Sequence, residues 1–266
     1  MCYKFYFRPS TFLTNTETYE KALNSAEAKT EHHFLMRENG FGLDEKILDA
    51  IKPETDAVFL CNPNNPTGKT AENGLMEAVL KRCSKFGGRL FLDECFNDWL
   101  DNPGGFSLAD KIEKSKNLMI IKAFTKNYGL AGLRLGYGIC SDEKLLSSMS
   151  CFTPPWNVST PAQIAGIAAL SDQGHFEKAK KTVKEEKPRM VKALAEFGFG
   201  VYGGDANFIF FRAEKNLREK LLARGILIRG CGNFAGLDES YFRICVKTRK
   251  ENDTLIEEIR RVLFNG

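Results

Sequence analysis

Three apolar runs in the first half of this 266-residue sequence end in polar turns whose side chains could do chemistry. The first ends as Cys61-Asn62-Pro63-Asn64-Asn65-Pro66-Thr67-Gly68. Two prolines and a glycine fix that backbone, so the amides of Asn64 and Asn65 are held in place, as a donor to a phenolate oxygen must be. An ordinary strand-to-helix turn uses the same residue types. The second run, Leu90-Phe91-Leu92-Asp93-Glu94, puts a carboxylate directly after a strand. Such a carboxylate can cap a helix, or it can hold a protonated pyridine nitrogen and make that ring a better electron sink. The third reads Ala123-Phe124-Thr125-Lys126, with Arg134 eight residues beyond the lysine. A lysine with a lowered pKa is a nucleophile toward an aldehyde. Arg134 is a fixed guanidinium suited to a phosphate, and Thr125 adds a hydroxyl. Taken singly, a lysine reads as a solvated surface residue and an arginine as half of a surface ion pair.

The elements that must position these residues alternate. Strands are predicted at 56–61, 89–93, 118–122, 136–140, 207–212 and 241–246, from short β-branched or aromatic runs. Helices are predicted at 17–29, 72–86, 161–170, 176–197, 217–224 and 250–263; the last carries Leu255, Ile256, Ile259, Val262 and Leu263 on one face. Alternation of this kind indicates an α/β architecture with a mostly parallel sheet, in which ligands bind outside the carboxyl ends of the strands. The continuous apolar strands lie in the first half, as a sheet covered on both faces requires. A boundary near Asp172-Gln173-Gly174 divides the chain into a large domain, 1–172, and a smaller C-terminal domain, 173–266.

Composition removes other classes. Lys+Arg number 38 against 34 Asp+Glu, a formal charge of +4, which gives no electrostatic reason to expect nucleic acid or an acidic membrane as partner. No apolar run approaches the roughly 20 residues that span a bilayer. The eight cysteines are scattered, with no C-x-x-C pair, and read as buried free thiols of a cytoplasmic protein. The three histidines, His32, His33 and His175, lack metal-ligand spacing, so no metal is expected.

Together the N-P-N-N-P-T-G block, the strand-terminal D-E and the T-K-x₇-R-x-G block resemble the class I/II aminotransferases of pyridoxal-phosphate (PLP) fold type I, in that family's order. The resemblance implies a three-layer α/β/α domain with a mostly parallel sheet, a smaller α+β domain, and a homodimer. It also implies roles. Asn65 bonds the cofactor's ring oxygen, Asp93 its pyridinium nitrogen, and Phe12 stacks on the ring. Lys126 forms the Schiff base and acts as catalytic base, while Thr125 and Arg134 hold the cofactor phosphate. The stretches Gly225 to Phe234, Tyr241 to Lys247 and Pro155-Trp156-Asn157-Val158 look like the threonine-phosphate decarboxylase branch, which serves cobalamin side-chain synthesis. Histidinol-phosphate aminotransferase is a near neighbour of that branch. By that likeness Arg229 and Arg243 bind the carboxylate and phosphate of a small amino-acid substrate. Decarboxylation and amino transfer to 2-oxoglutarate both remain open.

Four positions depart from the family pattern. Phe96 stands where a tyrosine would bond the ring oxygen, and Ala123 where a serine would meet the phosphate. The spacing from Phe12 to Tyr19 is longer than expected. The sequence starts near the strand preceding the stacking aromatic, without a counterpart of the glycine-containing loop and helix that give N–H groups to the phosphate. On that ground the expectation is weak PLP binding, with a non-catalytic remnant as the alternative of another class.

Overall fold

The computed structural model describes residues 11–13 and 17–264. Two sheets organise it. The first has six strands in the order β2-β1-β3-β4-β5-β6. These are β1 (Thr11–Leu13), β2 (Thr30–His32), β3 (Ala57–Cys61), β4 (Arg89–Asp93), β5 (Leu118–Ala123) and β6 (Gly136–Cys140). The first five are parallel; β6 runs antiparallel along β5. Parallel neighbours need crossovers, and the helices between them supply these: α1 (Glu17–Ser25), α2 (Lys46–Ala50) and α3 (Asn73–Phe86). Helix α4 (Phe124–Asn127) is a single turn after β5, and α5 (Glu143–Phe152) and α6 (Thr160–Ser171) follow β6.

Strand side chains alternate between faces, and each face of the sheet has its own cover. Val58, Leu60, Leu90, Leu92, Leu118 and Ile120 point to one side, where they bury Ile47 and Ile51 of α2 and Met76, Val79 and Leu80 of α3. Phe59 and Phe91 point to the other and stack with centroids 4.5 Å apart. Tyr19 of α1 leans on Phe59 at 5.2 Å. The mostly parallel α/β sheet expected from the sequence is the one found.

The second sheet is antiparallel, in the order β7-β8-β10-β9: β7 (Gly200–Val201), β8 (Phe208–Arg212), β9 (Arg229–Gly230) and β10 (Tyr241–Cys245). Helices α7 (Gln173–Glu196), α8 (Leu217–Leu222) and α9 (Arg249–Phe264) cover one face, burying Ile209, Phe211, Phe242 and Ile244. Alternation turns Phe208, Phe210, Tyr241 and Arg243 the other way, toward the first sheet's loops. There Phe41 sits edge-on to Tyr202, Phe210 and Tyr241, and Phe96 edge-on to Phe208. That face carries the small sheet's contribution to the site.

Candidate active site

The loop after β3 is built by its own side chains. Asn62 accepts from the Ala71 amide at 2.8 Å and donates to the Phe106 carbonyl at 2.9 Å. Asn64 takes the Thr67 hydroxyl at 3.1 Å, and its carbonyl accepts the Gly68 amide at 2.7 Å. Both are buried in the loop's interior. The paired-amide expectation for Asn64 and Asn65 therefore divides: Asn64 holds the loop, while half-buried Asn65 accepts from the Arg243 guanidinium. A guanidinium has no acceptor, so Asn65 must turn Oδ1 toward it, and Nδ2 is left as a donor on the other side. The loop is clasped from the side of the second sheet. The Asp205 amide donates to the Gly68 carbonyl at 2.6 Å, and half-buried Lys187 of α7 donates to the carbonyls of Gly204 and Ala206, each at 2.5 Å. Burial, with Lys69 nearby, lowers that ammonium to about 8, against the pull of Asp205.

At the end of β4 the two carboxylates part. Glu94 points into the interior, accepts the Ser107 hydroxyl at 2.7 Å, and is pushed upward in pKa by its burial. Asp93 points to the other side. Its Oδ1 accepts the Cys95 amide at 2.9 Å, so it does cap its own turn, as the plainer sequence reading has it. Its Oδ2 receives the Tyr19 hydroxyl and, at 3.5 Å, the Cys61 thiol. Burial, then Cys61 and Asp93, push the Tyr19 hydroxyl far above its ordinary value. Cys61 is raised by burial and then by Asp93. Both therefore remain donors.

Lys126 lies on the single turn α4, exposed, with its ammonium 5.3 Å over the Phe96 ring. Phe96, where the family pattern has a tyrosine, thus supplies a π face instead of a hydroxyl. The Phe208 ring meets Phe96 at 5.1 Å and carries the Arg243 guanidinium on its own face at 4.9 Å. A chain of contacts therefore runs from Lys126 through the two rings to Arg243 and Asn65. Asp98 steadies the turn by accepting from Asn127 at 2.7 Å and Lys122 at 2.8 Å.

On the small sheet Arg243 of β10 stands opposite Arg229 of β9 in register. Arg243 is half-buried, and burial lowers its pKa. Arg229 is exposed and donates to Asn233 at 3.0 Å. A cleft of about 670 Å³ is lined by Thr125, Lys126, Phe96, Phe208, Arg229 and Arg243, among others. Four of the residues singled out from the sequence thus share one cavity, and Asn65 joins them through Arg243. Asp93 lies on the same sheet edge behind Tyr19. Arg134 is not among the lining residues: it is exposed, in a left-handed conformation (φ 54°), with a long 3.3 Å bond to the Ala131 carbonyl. The backbone of Phe12 pairs with Val58 of β3 and Glu31 of β2; its side chain lies outside the described residues. Sequence reasoning gave no role to Tyr19 or Asp98. Tyr19 is marked in the sequence only by its spacing from Phe12, and Asp98 only as a carboxylate in a short helical turn.

A parallel sheet whose strand ends present a carboxylate, an amide and a lysine defines the class. The chain belongs to the family "Aminotransferase class I and II", whose model matches residues 10–259, and enzymes of this family depend on PLP. Threonine-phosphate decarboxylase of Salmonella typhimurium is 34% identical, over 92% of this chain and 68% of the relative. Histidinol-phosphate aminotransferase 1 of Archaeoglobus fulgidus is 35% identical, over 85% of this chain and 67% of the relative. The chain thus spans about two-thirds of these relatives' length. Among solved structures, histidinol-phosphate aminotransferase from Clostridium acetobutylicum superposes with a TM-score of 0.90 at 27% identity, over 99% of this chain and 80% of that one.

Proposed function

We propose that the chain acts on a small phosphorylated α-amino acid and removes its carboxylate, as the Salmonella relative's name describes. The observation that carries this is the pairing of Arg243 with Arg229. Like charges directly opposite one another destabilise a sheet, and here both guanidiniums open on the cleft that holds Lys126. A substrate with two anions and an amine offsets that repulsion.

The donor set fits PLP. The Nδ2 of Asn65 would donate to the ring oxygen, and Asp93 would accept from the ring nitrogen. Thr125 would donate to the phosphate, and Arg134, exposed and bonded only loosely to the Ala131 carbonyl, would be the cation for it. When bound, the cofactor supplies an electron sink for the pair left at Cα after bond breaking. The protein decides which bond breaks. Arg243 and Arg229, held by Asn65 and Asn233, would fix the substrate's carboxylate and phosphate and so decide which bond at Cα is set to break. If that bond is the one to the carboxylate, carbon dioxide would leave and Lys126 would deliver a proton to Cα in its place. Phe96 and Phe208 give the cleft an apolar wall beside Lys126.

Protein supplied with PLP and O-phosphothreonine should release carbon dioxide faster than it forms a ketoacid in the presence of 2-oxoglutarate. Dominant amino transfer selects the aminotransferase reading, and inertness of the PLP-loaded protein in both assays overturns the function altogether. The reading includes a homodimer, supported by the apolar face of α6, where Ile164, Ile167 and Leu170 are 64%, 70% and 61% exposed. Sedimentation at a single protomer mass would exclude it.

A further inference from the structure

Three donors attend the Asp93 carboxylate at the end of β4. Tyr19 comes from α1, 74 residues away in sequence, and its hydroxyl meets Oδ2. Its ring is aimed by contact with Phe59, itself stacked on Phe91, so the phenol is delivered along the open face of β3 and β4. Cys61 is the register partner of Asp93 across that strand pair and points its thiol at the same oxygen. The Cys95 amide holds the other oxygen. Every one of these contacts is a donor, none is a cation, and burial keeps Tyr19 and Cys61 protonated.

A carboxylate offers about four lone-pair sites, so two donors on one oxygen still leave room for a third partner. A phenol hydrogen bond to a carboxylate favours the ionised form and fixes its rotation. We propose that Tyr19 is a positioning residue for Asp93, holding its carboxylate aimed so that it can accept the protonated ring nitrogen of PLP. The inference rests on the reading of Asp93 as the ring-nitrogen partner. It assigns Tyr19 the part of holder, not of a plug that PLP must displace.

The test is PLP affinity in solution, with no substrate present. Tyr19→Phe keeps the ring against Phe59, so a thermal melt should show the fold retained. The variant should bind PLP about tenfold more weakly, the loss expected for one charge-assisted bond. A deaza analogue of PLP, with carbon in place of the ring nitrogen, should bind both proteins alike. Tighter PLP binding by Tyr19→Phe would make Tyr19 a competitor and overturn the proposal; equal weakening of PLP and the analogue would reduce it to packing and do the same. Asp93→Asn separates the levels. If that variant still prefers PLP to the analogue as the parent does, the reading of Asp93 has failed. If it loses the preference while Tyr19→Phe keeps it intact, only the role of Tyr19 has failed.

Discussion

Replacing Gly204 by alanine tests whether the two units are clasped at the Asn65 loop. A Cβ built on Gly204 lies 2.5 Å from the Thr67 carbonyl oxygen, 2.8 Å from the Gly68 carbonyl carbon and 2.9 Å from the Gly68 Cα. All three are backbone atoms, so no side chain can swing aside. Ordinary contact begins near 3.4 Å, so the loops must part by about 0.9 Å. The Asp205–Gly68 bond, now 2.6 Å, would stretch to the limit of hydrogen bonding. Overpacking of this kind costs about 1–3 kcal/mol, and a lost backbone bond about 1 kcal/mol more. The sum expected for Gly204→Ala is therefore about 2–4 kcal/mol, read as a lower urea midpoint at unchanged slope. Gly174→Ala is the control, because a Cβ there meets only the Asp172 side chain at 3.8 Å. A loss below about 0.5 kcal/mol in Gly204→Ala, no more than a bland surface change causes, would show that the clasp is not tight.

Three further outcomes follow from the site and its supports. Lys126→Ala should abolish the visible band of bound PLP, and borohydride should fix cofactor on Lys126 in the parent; peptide mapping of the adduct to another lysine would remove Lys126 from the reaction. Arg229→Ala should weaken O-phosphothreonine more than threonine, by nearer 1 kcal/mol than the 2–3 kcal/mol of a buried charged bond, since Arg229 is exposed. Equal effects on the two ligands would take the phosphate away from Arg229. Glu186 joins α7 to α9 by accepting from Arg189 at 2.5 Å, Asn252 at 3.0 Å and Arg249 at 3.1 Å, which together hold it down at about 2. A carboxyl depressed in the folded state adds stability that is fully present above its ordinary 4.5 and lost as pH falls toward 2. The melting temperature should fall more steeply over that range in the parent than in Glu186→Gln; parallel curves would contradict the assignment.

Much of the frame was legible because parallel strands covered on both faces must be continuous apolar runs, and 89–93 matches the observed strand at both ends; 136–140 matches too, although β6 is an antiparallel, largely exposed edge strand. Strands β1 and β2 were missed because three residues, Thr-Phe-Leu and Thr-Glu-His, hold no period. Helix α2 was missed for a similar reason, being five residues long. In the site, residue types were readable but facing was not. Nothing in Asn64-Asn65 tells which amide serves the loop and which meets Arg243, 178 positions later. Tyr19 was visible only as an odd spacing, because its partner is fixed by the β1–β3–β4 arrangement and not by local pattern.

Strand β4 ends in two adjacent carboxylates that live in different surroundings, one with a phenol and a thiol, the other with a serine and, at 3.7 Å, the Lys122 ammonium. Because side chains alternate, a shift of β4 by one residue against its neighbours would exchange them. The longer Glu94 would then reach into the cleft, and Asp93 would fall short of Ser107. Such a slip would still align an apolar strand within an apolar sheet, so hydrophobic burial alone discriminates weakly against it. The two unlike niches make the correct alignment the one in which both acids find donors at their own reach. This acidic pair therefore acts as an alignment key for the middle of the sheet. Exchanging Asp93 and Glu94 preserves composition and charge, yet should cost the chain its folding cooperativity, seen as a broadened denaturant transition.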